Sequence, residues 1–530
     1  MRMETTSAEN IFKEFREHSA AQFFKKNRQM LGYSGQGRSL VTIVHEYVTN
    51  SLDAAEEAGV LPDVEVTIRK AENMNGDRYL IKVADNGPGI PKSFVGRALA
   101  TIFAGTKFHR YMQQRGQQGI GAAGCVLFAQ ITTGKPVLVK SSTGKGKTYM
   151  CRLSINATTN KPVITEMRDI DEDFRGLVVE GEYASIRYEA GEHGAYEYVR
   201  RTALSNPHLQ IRLVDPNGQE SLFVRSVDSL PQRPGVAKPH PAGLSTNDLL
   251  DFAHASQSRK VSSFLVDTFA RTTQNKISEM RELDSAIDMD KDPKQMTWED
   301  AEKLVNAFKK VKWIAPDASC VVPIGEKQIK IALRNILDPE HMSVIERRPR
   351  IFRGGIPFVV EAAVAYGGSS GKREEDGYSG NVLRFANRVP LLFDSGSCAI
   401  SKAANDIEWK RYSIDMETQP VSVFVNVSSV YVPYSGVGKE AIAQEDEIVD
   451  EIKLAVMEAA RGVQKYVRGK QQVSFNANRY RSVSRYVKQL SGDISDLTKA
   501  DREKIEKKLE GIVSKRFPKV KGEADEEQSG

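Results

Sequence analysis

The sequence has few cysteines, only a small excess of one charge, and no long apolar run. Its four cysteines, Cys125, Cys151, Cys320 and Cys398, lie far apart, without CxxC or histidine-partner spacing. They read as reduced, mostly buried thiols of a cytosolic protein, which argues against a disulfide scaffold or a structural zinc site. No run of 18 apolar residues occurs, so no membrane-spanning helix is expected. The opening segment MRMETTSAENIFKEFREH lacks an apolar stretch between a basic start and a cleavage site, and is not read as a secretory signal. The P-loop pattern GxxxxGK[ST] is also missing. Gly371-Lys372, Gly438-Lys439 and Gly146-Lys147-Thr148 all lack the upstream glycine. With 75 basic and 69 acidic residues the net charge is +6, too slight to identify a nucleic-acid partner. The clusters RSVSRYVK (481–488) and KRFPKVK (515–521) read as a solvated helix face and a tail.

The chain is 530 residues long and 40% hydrophobic, enough for about three domains with cores of their own. Helix is expected over residues 10–30. A second helix is expected in LVTIVHEYVTNSLDAAEEAG, where Val41, Val44, Val48, Leu52 and Ala55 recur at helical spacing and Gly59 ends the run. Strands are expected at 64–68, 79–85, 137–142, 148–155, 177–183 and 211–214, with Asp215–Gly218 as a hairpin turn. Four prolines within 231–243 mark a boundary. Beyond it come short helices, one starting near Thr297 with Glu299 and Asp300 in its first turn. After Pro316 new strands appear, with 367–380 read as a mobile surface loop. Helix is expected from Lys439 to about 467 and again over 493–514, before a disordered tail.

Three short motifs follow one another in the first 125 residues. In Glu46-x-x-x-Asn50-Ser-x-Asp53-Ala, the four-residue spacing places Glu46 and Asn50 one above the other on a helix face. An amide oxygen there can bind Mg²⁺, and a carboxylate can deprotonate an attacking water. Taken alone, the pair is an ordinary solvated helix face. In Asp85-Asn86-Gly87-Pro88-Gly89, a carboxylate past a strand end can accept a hydrogen bond from an exocyclic amine, and Gly87 and Gly89 allow close approach to a flat ring. Alone, this is a plain turn. Gly105-Thr106-Lys107 is followed by Gly116-Gln117-Gln118-Gly119-Ile120-Gly121-Ala122-Ala123-Gly124. Its backbone N–H groups can face an anion if the run opens a helix, with Lys107 as counter-charge; the alternative is a flexible loop. The GxGxxG match within it follows HRYMQQRGQQ rather than a strand, which argues against a dinucleotide fold and a nicotinamide oxidoreductase.

Together, in this order, the motifs resemble the N, G1 and G2 boxes of the gyrase, chaperone, histidine-kinase and MutL (GHKL) ATPases. That resemblance implies an α+β chain with a Bergerat-fold two-layer α/β sandwich binding ATP and Mg²⁺. Asn50 would hold the metal, Asp85 would read adenine, the 116–123 segment would wrap the triphosphate, and Glu46 would be the general base. VPYSGVGKEAI (432–442), read as a strand turning on glycines into a long helix, and LRFANRVPLLFD (383–394) resemble the transducer domain of topoisomerase VI B subunits. A lysine at a helix start is poorly placed beside the positive end of the dipole, which favours a role for Lys439. The resemblance makes Lys439 the contact to the γ-phosphate.

It further implies an N-terminal strap (1–20), an ATPase domain (21–229), a helix-two-turn-helix domain (230–314), a ribosomal-S5-like transducer with long C-terminal helices (315–515) and a tail (516–530). The implied partners are a DNA-cleaving A subunit in an A2B2 heterotetramer, a second copy of the chain bound with ATP, and double-stranded DNA; no membrane is implied. The chain would lie in the prokaryotic cytoplasm at the nucleoid. Alone it should not cut DNA, because its acidic pairs Asp171/Asp173 and Asp288/Asp290 read as loops. The alternative is a mismatch-repair or chaperone ATPase acting as an ATP-gated clamp.

Overall fold

The computed structural model describes residues 19–71, 77–105, 111–116, 119–144, 148–314, 319–375, 377–436 and 438–516. The expected strap up to residue 18, the tail from 517, and Thr106, Lys107, Gln117 and Gln118 lie outside the described residues.

The first half begins with helix α1 (Ala20–Lys26), capped by Ser19 and Gln22. Helix α2 (Gln36–Glu57) follows. Its buried face includes Leu40, Ile43, Val44, Val48 and Leu52, each almost wholly withdrawn from water. Each contributes about 1.5–3 kcal/mol, so a charge at Val48 would undo the packing that orients the helix. Strands β1 (Asp63–Lys70) and β2 (Arg78–Asp85) pair antiparallel; in β2 every second side chain is buried, as a half-covered strand requires. A short helix α3 (Val95–Leu99) precedes helix α4 (Gly121–Thr133). The sheet is completed by β3 (Val137–Ser142), β4 (Thr148–Asn156), β5 (Lys161–Ile170), β6 (Gly176–Ala184), helix α5 (Ala195–Ser205), β7 (Gln210–Val214) and β8 (Glu220–Phe223). The strand order is β5-β4-β3-β6-β2-β1-β7-β8, with β1 and β7 parallel. Side chains of α2, α4 and α5 share one core with the sheet, giving two layers.

Strand β5 is missing from the sequence reading. Its residues KPVITEMRDI are mostly exposed on a sheet edge, so no apolar alternation marks it.

Beyond the proline-rich stretch, four helices form a cluster with its own apolar core: α6 (Thr246–Ala255), α7 (Val261–Thr268), α8 (Gln274–Leu283) and α9 (Trp298–Lys310). The expected start near Thr297 is a capping box with Asp300.

The second sheet follows helix α10 (Glu326–Leu337). Its strands are β9 (His341–Glu346), β10 (Arg350–Phe352), β11 (Ile356–Tyr366), β14 (Asn381–Ala386), β15 (Val389–Pro390) and β16 (Val421–Ser429), ordered β10-β11-β16-β14-β15 with β9 also on β11. Within the expected 367–380 loop, β12 (Lys372–Glu374) and β13 (Gly377–Ser379) form a small hairpin. Helix α11 (Ala399–Asn405) and the first part of α12 (Asp446–Thr498) cover one face, and α10 covers the other.

Helix α12 corrects two expectations. It starts at Asp446, not Lys439, and it runs unbroken for 53 residues to Thr498, through the gap expected between about 467 and 493. At 1.5 Å per residue that is about 80 Å. Beyond Val467 only Val487 and Ser491 are buried, so the apolar stripe that would announce a helix is absent there. Helix α13 (Arg502–Arg516) turns back along it, with Arg502 Nη2 donating to Lys488 O at 3.1 Å.

Candidate functional site

A cavity of about 420 Å³ opens at the ends of α2, β2 and α4. Glu46, Asn50, Asp85, Gly89, Gly105, Gly116, Gly119 to Ala123 and Lys439 all line it. Glu46 and Asn50 project from the same face of α2, as the four-residue spacing predicts.

Helix α4 begins at the cavity without a side-chain cap. Its first intrahelical bond runs from Gly124 N–H to Ile120 O, which leaves the preceding N–H groups without helical partners. Such a terminus attracts an anion. Glu46 lies directly against it. A Cβ built on Gly121 would come within 1.8 Å of Glu46 Oε2, so a side chain there would displace the Glu46 carboxylate.

Asp85 is fixed from three sides. Ser51 Oγ donates to Oδ2 at 2.6 Å, while the N–H groups of Gly87 and Leu177 donate to Oδ1 at 2.9 and 3.1 Å. Burial pushes the carboxyl above its ordinary range, outweighing the three donors. Gly87 therefore holds Asp85 rather than lining the cavity. Gly89, at φ +67°, passes the Ser142 carbonyl so closely that a Cβ would stand 2.2 Å from its oxygen. The left-handed backbone of Gly89 thus serves this close backbone approach, while Gly89 also lines the cavity.

Lys439 reaches the cavity from the other half of the molecule. It lies in a loop closed by the Tyr434–Ile442 bridge, with φ +54°, ahead of Asp446 where α12 starts. Lys439 therefore does not stand at a helix start, and the expected conflict with a helix dipole is absent. Its neighbour Glu440 also lines the cavity. Burial raises the Glu440 carboxyl to about 7; Asp394 adds to the rise, and Arg38, the Phe393 N–H and Arg384 oppose it.

The halves are tied beside the cavity. Arg38, on α2, donates from both Nη atoms to Asp394 at 3.1 and 2.9 Å and lies 5.0 Å over the Phe393 ring.

Several contributors escaped the sequence. Ser51 stood inside the first motif with no role assigned. Leu177 acts through its backbone, which no side-chain pattern reveals. Gly176 gives way to the Asp85 carbonyl, since a Cβ there would stand 1.9 Å from the oxygen. His45 lines the cavity beside Glu46. Burial lowers its imidazole despite the Glu46 charge, and the Lys439 charge adds to the drop.

Residues 35–157 match the family model described as histidine kinase-, DNA gyrase B-, and HSP90-like ATPase. Residues 316–479 match the one described as topoisomerase VI B subunit, transducer. The B subunit of type 2 DNA topoisomerase 6 from Methanothermobacter thermautotrophicus is 44% identical over 477 residues, spanning 89% of this chain and 90% of the relative. Its counterpart from Thermococcus sibiricus is 39% identical over 565 residues, spanning 98% of each.

Proposed function

The chain belongs to the family of type 2 DNA topoisomerase 6 B subunits, and from that premise we propose that it binds and hydrolyses ATP at the cavity of Glu46, Asn50 and Asp85, and relays the nucleotide state to a DNA-cleaving A subunit. One observation carries the reading: a lysine from the second sheet's loop, Lys439, lines the same cavity as the three motifs of the first half.

In this reading Asp85 accepts a hydrogen bond from the adenine amine. Its carboxylate is already oriented by Ser51, Gly87 and Leu177. The free N–H groups at the start of α4 receive the phosphates. Asn50 offers an amide oxygen suited to Mg²⁺, a metal that takes oxygen ligands; when bound, the metal neutralises phosphate charge. Glu46 takes the proton of a water as its oxygen bonds to the γ-phosphorus and the bond to the ADP oxygen breaks. Lys439 opposes the charge that develops on the transferred phosphoryl group. Loss of phosphate then releases Lys439, and the second sheet moves relative to the first. The proposal also gives Thr106, Lys107, Gln117 and Gln118 a part in binding ATP. The working assembly is two copies of this chain and two A subunits on a DNA duplex in a prokaryotic cytoplasm, with ATP binding favouring the pairing of the two copies by mass action.

Light scattering on the full chain tests the central claim. A non-hydrolysable ATP analogue with Mg²⁺ should shift the mass from one chain to two. An unchanged mass at saturating analogue would remove the ATP-gated pairing.

A further inference from the structure

Besides Lys439, a second, largely buried connection joins the cavity to the second sheet, and its centre is Arg115. Arg115 precedes Gly116, whose would-be Cβ lies 3.9 Å from Asn50 Oδ1, and so sits beside α2 at the cavity. Its guanidinium is almost entirely withdrawn from solvent. Nη1 donates to Asp53 Oδ1 at 2.8 Å and to Glu56 Oε2 at 3.0 Å; Nη2 donates to Glu56 Oε1 at 2.7 Å and to Asn206 Oδ1 at 2.6 Å. Burial alone would raise the Glu56 carboxyl, but Arg115 and His208, whose Nε2 lies 2.7 Å from Glu56 Oε1, hold it well below the usual range.

From Asn206 the path crosses into the other half. Asn206 Nδ2 donates to Arg388 O at 3.0 Å, and Ser205 Oγ donates to the same oxygen at 2.7 Å. Asn387 and Arg388 form the tip between β14 and β15, and both have left-handed backbone, with φ +47° and +67°. Two adjacent non-glycine residues in that region persist only where the surroundings hold them. Asn387 Nδ2 donates to Gln114 O at 3.1 Å and to Ser429 O at 2.9 Å. One residue earlier, the Gln113 side chain exchanges two bonds with Val322: Nε2 to O at 3.0 Å, and Val322 N–H to Oε1 at 2.6 Å. Gln113 and Gln114, leading into the phosphate-facing glycines, are thus bonded to the segment ahead of α10 and to the second sheet's tip, and Arg115 reaches that tip through Asn206.

We propose that Arg115 is a positioning residue for nucleotide-driven motion: it ties the helix carrying Glu46 and Asn50 to the Asn387–Arg388 turn, so that a shift of the helix or of residues 113–115 displaces the second sheet by a route separate from Lys439. Only a guanidinium can serve Asp53, Glu56 and Asn206 at once, because its five donors form a fixed fork. Lysine would retain the charge opposite Asp53 and Glu56 but could not span to Asn206. The inference rests on the ATP-binding reading of the cavity.

The test uses the full chain, labelled at cysteines introduced at the exposed positions Gln219 and Arg461; the native Cys125, Cys151, Cys320 and Cys398 are buried, so labelling is selective. In the parent, the ATP analogue should change the distance between the labels. Arg115→Lys should bind the analogue within about threefold of the parent yet lose at least half of that change, and Asn387→Gly, which keeps the left-handed turn while removing the bonds to Gln114 and Ser429, should do the same. A merely structural role would weaken folding without separating affinity from motion. Hydrogen exchange on the unaltered chain needs no variant to fold: the analogue should protect residues 322–325 and 387–388 as well as 46–53 and 119–124. Protection confined to the second pair of segments, or variants that move like the parent, would overturn the relay while leaving ATP binding intact. Absence of any protection or movement in the parent would overturn the functional reading itself and the relay with it.

Discussion

In the first sheet, polar groups stand at the ends of elements and face a cavity: Glu46 and Asn50 on α2, Asp85 at the end of β2, and the uncapped start of α4. In the second sheet, polar groups lie inside and are consumed by the fold. Glu361 is fully buried and accepts from Ile324 N–H, Gly325 N–H and Asn426 Nδ2 at 3.0, 2.7 and 2.8 Å. A buried polar group costs free energy unless it is bonded, and at Glu361 both carboxylate oxygens are met by donors. A group at a cavity wall is left for a ligand. The two regions should therefore respond oppositely to substitution: the first in activity, the second in stability.

Glu46→Gln should have the largest effect. It keeps the shape beside Gly121 and removes the base, so ATP turnover should fall about 10²–10⁴-fold, as for other general bases, while melting stays within a few degrees of the parent. Steady-state ATPase assays and a thermal scan check both halves. Near-normal turnover would exclude Glu46 as the base. Glu361→Leu should do the reverse. Three donors lose their acceptor at once, so stability should fall by about 3 kcal/mol in urea unfolding, with analogue affinity little changed. A mild Glu361 variant would break the contrast between the sheets.

The contrast also explains what could be read in advance. Motifs at element ends are local in sequence: a four-residue spacing puts Glu46 and Asn50 on one face wherever a helix forms, and the end of an alternating strand places Asp85. These positions, and the layers built from α2, β1 and β2, were legible. Lys439 was legible only as a residue type in a glycine-rich loop; its arrival at the cavity depends on how the two halves pack, and the helix-start reason for singling it out was incorrect. The Arg115 connection was not legible, because Asp53, Asn206 and Arg388 meet only in three dimensions. Strand β5 and the outer part of α12 failed for another reason: both are exposed, and solvent imposes no apolar period on them.

Glu440 stands where the two regions meet. Its carboxyl, raised to about 7 chiefly by burial, is penalised when ionised in the folded chain. A raised carboxyl contributes stability fully below its ordinary value of about 4.5 and loses it as pH rises through the folded value. Glu440→Gln cannot ionise. Its melting temperature relative to the parent should therefore climb between pH 5 and pH 8. The charged groups that face it are Arg38, Arg384 and Asp394. A difference that stays flat across the window would show that the group is ionised in the folded chain well below neutrality.

The smallest effects should come from within one helix. Up to Val467, α12 is pressed against the second sheet: Val456 and Val463 are wholly buried. Farther out, Tyr486 is 68% exposed and Leu497 84% exposed. Continuity of the hydrogen-bonded backbone, not burial, carries the helix through this outer part. Replacing Val463 with alanine removes two buried carbons, worth about 1.5 kcal/mol at about 0.8 kcal/mol each. Replacing Leu497 with alanine should cost no more than about 0.5 kcal/mol, since a solvated leucine loses almost nothing and alanine is the better helix former. Urea unfolding of the isolated full chain distinguishes the two. Equal costs would mean that the outer part of α12 is covered in solution, and that its exposure does not describe the free chain.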